Sequence, residues 1–306
     1  MRITTLGTAA GGGFPQWTCN CHNCHGVRSG NVRAKPRTQS SIFVRPDVGA
    51  DGILFNASPD ILEQIRANPA LQPVRGVRDS AIAAVVLIDG QVDHVTGLLM
   101  LRERSTELPL WCTDPVAEDL SSGLPLLHVL GHYCGVQRHR IALDGSGFQI
   151  PGVPNLTLRA LPLTSKAAPY SPHREHAVPG DNIGVLIRDR ARGTSVFYAP
   201  GLGAITPEVF DAMSCSDCVL VDGTFWHDDE MPRLGLSSKS ARDIGHLPQS
   251  GDGGTIEWLR KLPPTTRRML IHVNNTNPIL DEDSPERAAL NGEGIEVCED
   301  AVTFTV

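Results

Sequence analysis

The chain has no apolar run of about 18 residues, the length a helix needs to cross a membrane. Its opening, MRITTLGTAAGGG, has no long apolar stretch after a basic start, so it does not read as a secretory signal. The expected location is the cytoplasm. A basic excess is also missing: 27 Lys and Arg stand against 34 Asp and Glu, for a formal charge of −7. That balance argues against a nucleic-acid binder. Internal repeats, low-complexity tracts and linkers are absent, so the 306 residues are read as one domain, 1–306. The glycine run Gly11–Gly13 follows a strand pattern but precedes no helical one, so it is a poor dinucleotide fingerprint. Disulfides are rare in the cytoplasm, so the eight cysteines are read as metal ligands or buried thiols.

What is present is ordinary for a globular α/β chain: 41% hydrophobic and 20% charged residues. Met1 to Leu6, Ser41 to Val44 and Gly52 to Asn56 read as strands, and Asp60 to Ala67 as a short helix. Ala81 to Ile88 is an almost unbroken apolar run, as expected for a strand buried on both faces. It stops at the polar elbow Asp89-Gly90-Gln91-Val92-Asp93-His94, and a helix is expected from Val95 to Arg102. Thr194 to Tyr198, Cys218 to Val221 and Met269 to Ile271 repeat the theme, ending at Pro200-Gly201, Asp222-Gly223-Thr224 and His272-Val273-Asn274. Ligands in α/β folds gather at such strand ends. Lys166 to Asp181 reads as a long functional loop.

Two constellations carry chemistry. The first is Cys19-x-Cys21-x-x-Cys24: three thiolates within six residues can wrap one soft cation, and structural zinc takes four such ligands. The fourth ligand stays open among His22, His25, His246, a later cysteine and a polar side chain near Asn275. Cys215 and Cys218 are read as plain buried thiols. The second constellation is Asp89-x-Gln91-x-Asp93-His94, with Asp222 and His272 at later strand ends. It resembles the metallo-β-lactamase signature His-x-His-x-Asp-His with its first two histidines replaced. Asp93, His94 and His272 would offer one carboxylate and two imidazoles to one active-site metal, with Asp89 or Asp222 assisting. That set suits ferrous iron with open positions, and equally zinc with water.

The segments GTAAGGGFPQWTCNCHNC, RAKPRTQSSI, NASPDI, DGQVDHVTGLLMLRE, PGDNIG, DGTFW, GHLPQSG and IHVNNTNPIL together resemble the pyrroloquinoline quinone (PQQ) biosynthesis protein B family over essentially the whole length. The resemblance implies the αββα four-layer metallo-β-lactamase fold, near the phosphodiesterase and ribonuclease Z branches. It implies that His246, in GHLP, serves proton transfer or substrate contact, and that Asp222, at its strand end, orients a ligand or binds metal directly. A ligand histidine of those branches aligns with Ser165, and a bridging aspartate falls near Pro200-Gly201, so two-metal hydrolysis is disfavoured. The implied activity is iron(II)- and dioxygen-dependent hydroxylation of the tyrosine-derived ring of a Glu–Tyr precursor. The alternatives are a soluble carrier of PQQ or its precursor, and a zinc hydrolase. A substrate with several carboxylates would call on Arg33, Lys35 and Arg37 with Ser40 and Ser41, on His173, Arg174 and His176, and on Asn182. A homodimer is left open.

Overall fold

The computed structural model describes residues 1–47, 49 and 51–306. The first half of the chain forms β1 (Arg2–Gly7), β2 (Ser41–Arg45), β3 (Gly52–Phe55), β4 (Ile82–Val86), β5 (Leu108–Cys112) and β6 (Val136–Arg140). The second half forms β7 (Leu156–Pro162), β8 (Ile183–Asp189), β9 (Thr194–Ala199), β10 (Cys218–Asp222), β11 (Arg267–Ile271), β12 (Ile295–Val297) and β13 (Val302–Thr305). One sheet has the order β13-β1-β2-β3-β4-β5-β6, and the other β12-β11-β10-β9-β8-β7. Strands β3 to β6 run parallel to one another, as do β9 to β12, while the remaining pairs are antiparallel.

Side chains alternate across each strand, which explains the unbroken apolar runs. Ala84 and Val86 of β4 face the other sheet, while Val85 and Leu87 face helices. Cys218 and Leu220 of β10 likewise join the inter-sheet core, and Val219 and Val221 join the second helical layer. Phe55 and Tyr198 meet edge to face across the sheets, with ring centroids 5.7 Å apart. Burying a large ring this way stabilises by about 1.5–3 kcal/mol. The result is four layers, helix–sheet–sheet–helix: the expected αββα fold.

The seven expected strands, β1 to β4 and β9 to β11, fall where the apolar runs put them, give or take two residues, but β5 to β8, β12 and β13 were not foreseen and the helix after β4 starts elsewhere. It starts at Val92, not Val95, as a single turn Val92–Val95 that continues into the 3₁₀ segment Thr96–Leu101. The Gln91 carbonyl accepts from the His94 N–H at 2.9 Å, so Asp93 and His94 lie inside the first turn. Cys218 is buried as expected, whereas Cys215, at the C-terminal end of the helix Pro207–Ser214, is exposed.

Glu230 ties two strand-end elbows together. Its carboxylate accepts from the Trp226 N–H beyond β10 at 2.8 Å and from the Thr276 hydroxyl beyond β11. Burial pushes its pKa up to about 7, against the hydrogen bonds from Thr276 and Trp226. The folded chain therefore holds a proton that the unfolded chain releases near 4.5, so stability falls as pH rises from about 4.5 to about 7. Glu230→Gln is expected to flatten that decline by one proton in denaturant titrations across this window. An unchanged pH slope would contradict the assignment.

Candidate metal centre

Three strand ends converge on one cavity. Beyond β4, the turn Val92–Val95 carries Asp93 and His94. β10 ends at Asp222, and β11 delivers His272, which holds a left-handed backbone, φ +62°. A non-glycine residue pays for that conformation, and such residues collect at functional sites. Here the Thr224 hydroxyl lies 2.9 Å from both the His272 carbonyl and His272 Nδ1.

Each histidine has its Nδ1 tied off. His94 Nδ1 lies 2.8 and 2.9 Å from the two Asp89 oxygens. His246 Nδ1 lies 2.6 Å from Asp222 Oδ2. The Thr224 hydroxyl has a single proton, and Asp222 Oδ1 takes it at 2.6 Å; Thr224 then accepts from His272 Nδ1–H. Carboxylate or hydroxyl partners on Nδ1 fix the tautomer that leaves the Nε2 lone pair for a metal. His94 Nε2 is buried without a hydrogen-bond partner, an orphan that a cation would satisfy. Asp93 Oδ2 sits 3.3 Å from His272 Nε2 and 3.7 Å from His94 Nε2. Asp93, His94 and His272 can thus bring one donor atom each within 4.8 Å of the others, and Asp222, His246 and His272 form an overlapping group. The donor set fits one borderline divalent ion.

Electrostatics favour the same occupant. Burial alone would raise the Asp93 pKa; the His94 and His272 rings outweigh it and hold the carboxylate well below its usual range. Burial would lower His94, but Asp89 and Asp93 hold it up at about 9. His246 is raised as well, with burial opposing and Asp222 prevailing. A cation entering here replaces the proton that these carboxylates draw onto the rings.

The cavity, about 300 Å³, is lined by Asp89, Asp93, His94, Thr224, His246 and His272 together with Gln91, Ser165, Arg174, Asn182, Phe225 and Asn274, with Asp222 buried behind His246. Gly11 forms part of the wall, and a Cβ there would stand 3.4 Å from Asp93 Oδ2. Ser165, where a ligand histidine was expected to be lost, donates to the Gly245 carbonyl at 2.8 Å and braces the segment that carries His246.

Several sequence expectations move. Asp89 falls outside the group of converging donor atoms: both its oxygens face His94 Nδ1, from which side they can orient that ring. Lys35 lies on the surface, paired with Glu299 at 2.7 Å, and Arg33 pairs with Asp283 and Glu282. Arg37 is buried the other way, its Nη1 donating to Thr8 Oγ1 at 2.9 Å and to the Cys298 carbonyl. Ser40 is buried. Lys35, Arg37 and Ser40 do not line the cavity, because the segment that follows the cysteine loop packs against residues 298–300. Asn182 and Arg174 do line it, while His173 bonds Asp181 and Glu118 and His176 is exposed. Thr224 escaped sequence reading; its place two residues beyond Asp222 was the available signal.

The sulfurs of Cys19, Cys21 and Cys24 form a second donor cluster. The Asn275 carboxamide nitrogen lies 3.1, 3.6 and 3.4 Å from them in turn, so among the open options Asn275 is the polar side chain that meets the cluster. His22 and His25 are exposed. Asn275 is three residues past His272, and Asn23 Nδ2 donates to the carbonyls of Asn275 and Asn277 at 3.1 and 2.9 Å. The cysteine loop is therefore bolted to the elbow that holds His272.

The family model for the Beta-lactamase superfamily domain matches residues 52–273. A Coenzyme PQQ synthesis protein B from Azoarcus sp. (strain BH72) is 61% identical over 306 residues, covering 100% of both chains. The chain belongs to the coenzyme PQQ synthesis protein B family. Its biochemical setting is therefore PQQ synthesis. Within this family, a Zn2+-bound PqqB from Methylobacterium extorquens has a crystal structure with TM-score 0.90 and 37% identity, covering 100% of both chains. Human tRNase Z, short form, at 13% identity and TM-score 0.62 over 100% of this chain and 99% of its own, shares the fold alone.

Replacing Asp89 by Asn removes the acceptor charge on His94 Nδ1. The affinity of this site for zinc or iron(II) is expected to fall about 10–100-fold. Competition against a chromophoric chelator measures it, with the Cys19, Cys21 and Cys24 cluster, untouched by the substitution, as internal reference. Unchanged affinity would mean that Asp89 does not orient the ring.

Proposed function

We propose that this chain is a metal-dependent oxygenase of PQQ formation, hydroxylating the tyrosine-derived ring of a Glu–Tyr precursor. The observation that carries the reading is the single cradle of one carboxylate and two imidazoles, Asp93, His94 and His272, at the floor of a cavity. Such a set leaves coordination positions vacant, unlike a closed structural site. Ferrous iron held there would supply dioxygen activation. Hydroxylation consumes one dioxygen, two electrons and two protons and releases water, so a reductant must be supplied from outside.

The chain's residues do the rest. Asp89 and Thr224 hold the two ligand rings in register. His246, backed by buried Asp222, lies in a stacked pair with His272, ring centroids 5.6 Å apart. From there it exchanges a proton with the substrate phenol through Nε2. Asn182 Nδ2 and Gln91 Nε2 both donate to the Lys166 carbonyl at 3.2 Å, so the loop from Lys166 is held across the mouth and limits water. Structural zinc on Cys19, Cys21 and Cys24 keeps the His272 elbow in place. The second reading, zinc-dependent hydrolysis, draws on the Zn2+-bound relative.

Metal-free protein reconstituted with iron(II) is expected to take up oxygen and yield hydroxylated precursor, and zinc-loaded protein to do neither. His94→Ala should abolish uptake. Equal turnover under nitrogen with zinc would overturn the oxygenase reading in favour of hydrolysis. PQQ binding by both proteins without any turnover would favour a carrier.

A further inference from the structure

We propose that Arg174 is the carboxylate anchor of the cavity, so that the site selects an anionic small molecule by a guanidinium–carboxylate fork. The inference rests on reading this cavity as the metal-dependent site of PQQ formation.

Among the described residues lining the cavity, Arg174 is the one cation other than the histidines. Its position is set in advance. The preceding residue, His173, bridges two carboxylates, with Nδ1 3.0 Å from Asp181 Oδ1 and Nε2 3.4 Å from Glu118 Oε2. The Arg174 N–H donates to the Ser171 carbonyl at 3.1 Å. Tyr170 Oη donates to the Gly90 carbonyl, which fastens the same loop to the elbow carrying Asp93 and His94. The loop is stitched on both sides, so the entropy of placing the guanidinium is largely met before a ligand arrives.

The guanidinium itself is under-used. One nitrogen, Nη1, donates to the Ala167 carbonyl. No carboxylate among the described residues stands within ion-pair distance of Arg174, whereas Arg33, Arg75, Arg138, Arg140, Arg260 and Arg267 each have at least one. The cavity's own carboxylates are engaged: Asp89 on His94, and Asp93 between His94 and His272. A partly buried guanidinium with free N–H donors fits a planar carboxylate bidentately, which an ammonium does not reproduce.

The probe is PQQ, a quinone with three carboxylates, alongside its uncharged trimethyl ester. Titration of metal-loaded protein, followed by tryptophan fluorescence or calorimetry, gives the affinities. Arg174→Gln keeps a donor for the Ala167 carbonyl and removes the charge. It is expected to weaken PQQ binding at least about tenfold while leaving metal content unchanged. Arg174→Lys should fall between the two, and Lys261→Gln, an exposed charge elsewhere, should match the wild type. The ester should bind wild type and Arg174→Gln alike, and more weakly than the acid binds wild type. Equal PQQ affinity in wild type and Arg174→Gln overturns the proposal, as does an ester that binds wild type as tightly as the acid, or a wild type that does not bind PQQ. If Arg174→Gln does not fold, Arg174→Lys decides, and full affinity in it counts against the fork. Oxygen uptake read in parallel separates the two claims. Arg174-dependent binding without uptake removes the hydroxylation and keeps the anchor, while uptake with equal affinities removes the anchor alone.

Discussion

Everything in the site depends on where the Nδ1 protons of three histidines go. Asp89, Thr224 and Asp222 take them, and each imidazole is left with a lone pair on Nε2. Were any of these partners apolar, the ring could rotate or carry its proton on the other nitrogen, and the cradle would lose a donor. The cost is two buried carboxylates beside the rings. It is offset by the positive charge that the site attracts, as protons on His94 and His246 or as a metal ion.

The fold supplies the rest of the constraint. Parallel strands in both sheets end at one edge, so residues 89–94, 222–224 and 272–274 meet although they are far apart in the chain. His272 is the least comfortable of them, with its left-handed backbone. The Thr224 hydroxyl from one side and the Asn275 contact with the cysteine cluster from the other hold it there. The cysteine loop thus has a mechanical relation to the donor cluster: it clamps the segment three residues beyond His272.

Much of this could be read from the residues alone, for physical reasons. Ala81 to Ile88 and Cys218 to Val221 are apolar on both faces because helices cover one and the opposite sheet the other, and only buried strands demand that. Cys19, Cys21 and Cys24 are close in sequence, so their meeting needs no knowledge of the fold. The failures have two causes, contact at long range and local backbone geometry. Arg37 reads as a ligand-binding cation, yet residues 298–300 claim it. Asp89 sits where a ligand histidine was expected and reads as a ligand. One helical turn places His94 so that Asp89 meets its Nδ1. Arg174 was one candidate in a basic loop until the loop's attachments set it on the cavity wall.

The central claim is that one ion binds to Asp93, His94 Nε2 and His272 Nε2 while Asp89 remains outside its coordination sphere. Anomalous diffraction from crystals soaked in iron(II), recorded on both sides of the iron edge, tests it most directly. The account predicts an iron peak within coordination distance of those three atoms and a separate zinc peak among Cys19, Cys21 and Cys24. Iron bound directly by Asp89, or no iron peak in the cavity at all, would contradict it.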